Sequence, residues 1–113
     1  MSSHDDDMML VKDNGMAIKH IENQSLALAI LAVNDDGYAL KYVKPEFKTH
    51  AVCLTAVQND GMALQFVPDD LKTIDVCTAA VSRDGLALEY VSDKTPQIIA
   101  MAIKMDPLAA QFQ

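Results

Sequence analysis

The chain has 113 residues, half of them hydrophobic and only 5% aromatic, with no Trp and a formal net charge of -7. That length supports one core, which must be filled with Ala, Val, Leu, Ile and Met, a composition that favours closely packed helices. The basic residues form no cluster, which disfavours binding to a nucleic-acid backbone. No apolar run approaches the ~20 residues that span a bilayer, and "MSSHDDDMM" lacks the basic-then-apolar order of a secretory signal. No membrane association is expected. The expected location is cytoplasmic, or a host cell reached through a secretion system that leaves no readable N-terminal signal.

In chain order, the first predicted helix follows Ser3 as N-cap. His4 with Asp5, Asp6 and Asp7 could hold a metal ion weakly, but acidic residues in a first helical turn also oppose the helix dipole, and that reading is preferred. A short apolar segment then runs from Gly15 to Ile21. The same two-part pattern recurs after Ser25, Thr49, Thr73 and Thr95. Its first part places apolar residues three, four, seven and eight positions after the Ser or Thr, as in Val52, Cys53, Ala56 and Val57, then Val76, Cys77, Ala80 and Val81, then Ile98, Ile99, Ala102 and Ile103. This is an amphipathic helix with one buried face and a Ser/Thr N-cap. Pro96 suits a first helical position. The second part, as in Ala63, Leu64, Phe66 and Val67, is again helical in spacing and about two turns long.

The copies are close. Residues 49–72 and 73–96 share 11 identities in 24, and residues 25–48 and 49–72 share 9 in 24. Gly15, Gly37, Gly61 and Gly85 are separated by 22, 24 and 24 residues, and a further 22 leads to Pro107. The interval from Ser/Thr to Gly or Pro is constant at 12, so the length variation falls in the connector from Ile21, Val43, Val67 or Val91 to the next Ser/Thr. Loops tolerate such changes and packed elements do not. Because Pro107 cannot adopt the left-handed conformation of a helix end, Gly and Pro are assigned to the first residue of the second helix. Asp36, Asp60, Asp84, Asp106 and, in the first unit, Asn14 are then its N-caps. Gly there lets helices approach closely. The predicted fold is all-α: one domain over 1–113, a short solenoid or compact bundle of about four and a half helix hairpins at 3–24, 25–48, 49–72, 73–94 and the half unit 95–113. A lone hairpin cannot bury its apolar face, and stacked neighbours supply what it lacks.

Little in the pattern points to chemistry. Cys53 and Cys77 hold the same slot in consecutive units and read as small core residues, since packed helices at ~8–10 Å are too far apart for a disulfide. Without companion ligands they make a weak zinc site. His20 stands where other units have Tyr42, Phe66, Tyr90 and Phe112, and is read as packing, the alternative being a pH-sensitive or catalytic group beside an acid. His50 is expected to be exposed. The pairs Asp35/Asp36 and Asp69/Asp70 fall in turns. No catalytic residue, cofactor or metal site is assigned. Met16, Met62, Met101 and Met105 are placed within or beside packed faces. The residue after Gly stays apolar but varies, and the one three further on changes charge from Lys to Gln to Glu. Tyr38, Lys41, Met62, Gln65, Leu86 and Glu89 are therefore the candidate partner-binding residues.

The pattern "AVxxDGxALxYVxxxxK", as in "AVNDDGYALKYVKPEFK" and "AVQNDGMALQFVPDDLK", resembles a short helical repeat classed as a domain of unknown function, frequent in effectors of intracellular bacterial pathogens. The first unit departs from it at His20 and Ile21, the fifth at Pro107. A free-standing chain of such repeats implies a small protein acting on other effectors, with an effector enzyme that deamidates ubiquitin, of the transglutaminase type, as its partner. The motif marks structural positions and carries over no catalytic residue. The expectation is a non-catalytic inhibitor or regulator. The alternative is a self-associating homodimer, motivated by the unfinished fifth unit.

Overall fold

The computed structural model describes residues 4–113, so the predicted cap Ser3 lies outside the described residues. Five α-helices of 10 residues each run His4–Asp13 (α1), Leu26–Asp35 (α2), His50–Asn59 (α3), Ile74–Arg83 (α4) and Pro96–Met105 (α5). Ser25, Thr49, Thr73 and Thr95 are their N-caps from α2 onward, each side chain accepting from the backbone N–H three residues on. Such a cap is worth about 1 kcal/mol.

Each α-helix is followed by a six-residue 3-10 helix: Gly15–His20, Gly37–Tyr42, Gly61–Phe66, Gly85–Tyr90 and Pro107–Phe112. The second element is therefore helical, as expected, but tighter than an α-helix. Asp36, Asp60, Asp84 and Asp106 cap it by accepting from the N–H two residues on, at 3.0–3.1 Å. Asn14 makes no such bond, which corrects the cap expected of it. The Gly15 N–H instead donates across the unit boundary to the Asp35 carboxylate at 2.8 Å. Asp35 is itself the last residue of α2 rather than part of a turn. The fifth unit contains both elements, so 95–113 is a full pair of helices rather than a half unit.

The α-helices pack in sequence to form one layer and the six-residue 3-10 helices stack in sequence to form a second; each of these 3-10 helices also lies against the α-helix before it and, in the first four units, the one after it. The extents of 51 × 24 × 17 Å give five units about 10 Å apiece along the long axis, a normal helix-packing distance. The radius of gyration of 14.8 Å exceeds the roughly 13 Å of a compact domain of this length. Of the two predicted forms, the molecule is the solenoid.

The core is one continuous cluster with the predicted membership in units two to four, including Cys53 and Cys77, both free thiols. In α5, Ile98 and Ala102 are buried, while Ile99 and Ile103 are only partly so. Leu40, Leu64 and Leu88 are fully buried, each worth about 1.5–3 kcal/mol. Among the described residues no glycine has positive φ. The glycines are there for space: a Cβ on Gly61 would lie 2.3 Å from the Ala80 carbonyl oxygen of the next helix.

The two-residue insertions in the longer connectors are structured. They form the 3-10 turns Pro45–Phe47 and Asp69–Leu71, which pack Phe47 and Leu71 against the core. Among the described residues no helix is long and apolar enough to cross a membrane.

Candidate functional site

The 3-10 layer carries the predicted site because of its period. Residues three apart eclipse in a 3-10 helix, so the first and fourth positions, Gly and Leu, share the buried side. The second and fifth then share the outer side. Tyr38 and Lys41, Met62 and Gln65, Leu86 and Glu89 are these pairs in three consecutive stacked helices, so all six candidates fall on one stripe. Lys41, Gln65 and Glu89 are exposed; Met62 and Leu86 are half-buried; Tyr38 is 36% exposed. Met16, Lys19, Leu108 and Gln111 extend the stripe in the terminal units.

Neighbouring units interlock along it. The Tyr38 ring meets the Phe66 ring edge-on, with centroids 5.8 Å apart. Burial, and then the negative field of Asp60, Tyr90, Asp84 and Asp36, pushes the Tyr38 phenol above its usual range, so it stays a neutral donor. The ammonium groups of Lys19 and Lys41 both lie over the Tyr42 ring, at 5.9 and 5.7 Å from its centroid. Gln65 Nε2 donates back to the Met62 carbonyl at 3.1 Å, and Gln111 does the same to Leu108 at 3.0 Å. The stripe thus passes from cationic and aromatic in units one and two to neutral in unit three and anionic at Glu89.

Two rows of inter-unit hydrogen bonds flank the layer. In the first two units the residue before the Ser/Thr cap reaches into the following unit: Gln24 Nε2 to the Tyr42 carbonyl at 2.8 Å, Lys48 Nζ to the Phe66 carbonyl at 3.2 Å. Burial lowers the affinity of Lys48 for its proton. Lys72, in the same slot, instead pairs within its own connector with Asp69 at 3.4 Å. On the other side the residue before the Asp cap reaches backwards, Asn59 to the Asn34 carbonyl at 2.6 Å and Arg83 to the Asn59 carbonyl at 3.3 Å. The Lys in the repeated motif is the sequence signal for the first row. The second row, where Asp35, Asn59 and Arg83 differ in every unit, has none.

Two histidine and methionine expectations are corrected. His20 is exposed rather than packed, because it lies on the end unit, lining an open hollow with Leu10, Asn14, Met16, Ala17 and Lys19. No acid lines that hollow to pair with it. Met105 is 51% exposed, since it holds the slot before the Asp cap, where Asp35 and Arg83 are exposed as well. His50 is half-exposed, with its Nε2 3.0 Å from the Asp75 carboxylate, while the Thr73 hydroxyl donates to that same carboxylate.

Thr73, His50 and Asp75 form a grouping that the sequence pattern does not reveal, since the residues come from two units. It does not have the form of a nucleophilic triad. There the base uses one ring nitrogen for the hydroxyl and the other for the acid, whereas here Thr73 and Asp75 both face His50 Nε2. The hydroxyl proton goes to the carboxylate, which holds Asp75 below its usual range, with His50 adding to the effect. The contact ties the N-terminus of α3 to that of α4. Burial pushes the Cys53 thiol up to about 11 against a partial opposing effect of Lys48, and Cys77 is raised for the same reason. Neither supplies a thiolate nucleophile at neutral pH.

A family model described as Domain of unknown function (DUF4116) matches residues 52–95. The match begins at the third helical position of α3 and ends at the cap of α5, spanning most of the third and fourth units. It covers less than half of the chain. No curated protein and no solved structure matches.

Proposed function

We propose that the chain is a non-catalytic protein-binding module whose contact surface is the outer stripe of the 3-10 layer, and that it acts as an inhibitor or regulator of an effector enzyme of the ubiquitin-deamidating, transglutaminase type. One observation carries the binding reading. The buried positions of the layer repeat almost without change, Leu40, Leu64 and Leu88 at zero exposure, while the outward residue next to each changes from Lys41 to Gln65 to Glu89. A scaffold held constant beneath a varied, solvent-facing row is how repeat proteins present a specific surface. Among the described residues no polar or charged residue is buried, which fits a surface that works by contact. The enzyme class rests on the resemblance of the repeat alone.

The test is to titrate the purified chain into a ubiquitin-deamidating effector enzyme and follow deamidation. Stoichiometric loss of activity, weakened several-fold by Gln65→Lys with an unchanged melting temperature, is the expected result. Full enzyme activity at saturating chain, with no complex by sedimentation, would overturn the inhibitor reading. A dilution-resistant homodimer that engages nothing else would favour the self-associating alternative.

A further inference from the structure

At each of the four boundaries between units, a residue with no Cβ faces the carbonyl of the next α-helix. A Cβ built on Gly15, Gly37, Gly61 or Gly85 would lie 2.3, 2.5, 2.3 or 2.4 Å from the carbonyl oxygen of Ala32, Ala56, Ala80 or Ala102. These oxygens are backbone atoms and cannot turn aside. The residue bearing each carbonyl is always Ala, and each of the four is fully buried. Stacking one unit on another therefore needs Gly on one side and Ala on the other.

The two outer ends lack these residues. Leu10 is the counterpart of the four alanines, since the Asn14 N–H returns to its carbonyl at 2.9 Å just as Asp36 returns to Ala32 and Asp60 to Ala56. Pro107 is the counterpart of the four glycines. Its unit is otherwise ordinary: Asp106 has φ -152° and ψ 111°, against -146° and 111° for Asp60, and caps Leu108 in the same way. The local fold is thus indifferent to the proline, whose ring matters only to whatever lies beyond it. Leu10 and Pro107 are both exposed.

We propose that Leu10 and Pro107 are steric stops that prevent copies of the chain from stacking end to end. The hazard is real. The first end exposes Met9 at 70% and Leu10 at 52%, and Pro107 is exposed at the last, and a head-to-tail contact between complementary ends does not close but grows into filaments. In such a contact unit five of one copy would meet unit one of the next. The Pro107 ring would fill the space that Gly leaves for a carbonyl, and the Leu10 side chain would stand where interior units have room only for a methyl. Both faults fall in the same contact, so relieving one leaves the other.

This dictates an unusual pattern of association. Leu10→Ala and Pro107→Gly, each alone, should keep the wild-type mass in sedimentation equilibrium. Mixed, they should form a 1:1 complex absent from either sample, because one variant offers an open first end and the other an open last end. The double variant should form open chains whose mean mass rises with concentration. Pro107→Ala keeps a Cβ and should fail to complex with Leu10→Ala, and circular dichroism checks that every variant is folded. Wild-type mass for the folded double variant and for the mixture would overturn the proposal. Pro107→Ala complexing as well as Pro107→Gly would overturn its steric basis.

Discussion

The middle of the stack and its two ends are built from the same unit but obey different rules. Gly61 has a helix backbone pressed against it and tolerates no side chain, whereas its counterpart Pro107 carries a ring in the open. Asp60 caps its own 3-10 helix, while Asn14 leaves its helix uncapped and Gly15 takes an acceptor from the next unit. The slot of Phe66 is half-buried, and the same slot at the first end holds the exposed His20. Packing, and not the local conformation of the unit, therefore sets which positions are constant. Where a neighbour is missing, the requirement for Gly and for a packed side chain is lifted.

The largest effect should come from filling the interior contact. Gly61→Val forces the units apart and should cost about 3 kcal/mol or more, lowering the melting temperature by roughly 10 °C or more. Pro107→Ala should leave the melt nearly unchanged, and equal losses would break the contrast between middle and end. Removing a cap comes next. Asp60→Ala should cost about 1 kcal/mol and Asn14→Ala far less, both read from denaturant midpoints.

The smallest effect concerns pH, and it sharpens the contrast at the slot of Cys53, which Ile99 fills at the far end. The folded Cys53 thiol titrates at about 11 rather than 9.0. Folding then favours the protonated form: its contribution is fully present below pH 9 and is lost as the pH rises towards 11. Lys48, whose shift is downward, acts with the opposite sign and is present in both proteins compared. Cys53→Ala should be less stable at neutral pH yet lose less of its stability between pH 9 and 11. Parallel curves for the two proteins would contradict burial as the cause.

Much of the fold is legible in the sequence. The Ser25, Thr49, Thr73 and Thr95 caps, the apolar positions of α3 and α4, and the placement of Gly as a first helical residue follow from spacing, because a helix that must bury one face has few ways to arrange its residues. The outer stripe is legible for the same reason, since Tyr38 and Lys41 repeat the spacing of Met62 and Gln65. Repetition misleads where equivalent positions have unequal surroundings. The counterparts of His20 pack against the core, which places it there by analogy, yet it stands on an end with no neighbour to cover it. Asn14 fails as a cap in the same way, for its resemblance to Asp36 does not extend to the hydrogen bond. For Met105 repetition points the right way, to the solvent-facing slot of Asp35 and Arg83.

What the sequence alone determined, then, is the unit and its repetition, because capping, amphipathic spacing and backbone limits at Pro act over a few residues. Tertiary structure decided how the units meet. The choice of solenoid over bundle, the Gly-to-carbonyl contact, the ties from Gln24 and Lys48, and the joining of His50 to Thr73 and Asp75 all depend on residues about one repeat apart along the chain. Stacking brings these residues together, and no local preference encodes it.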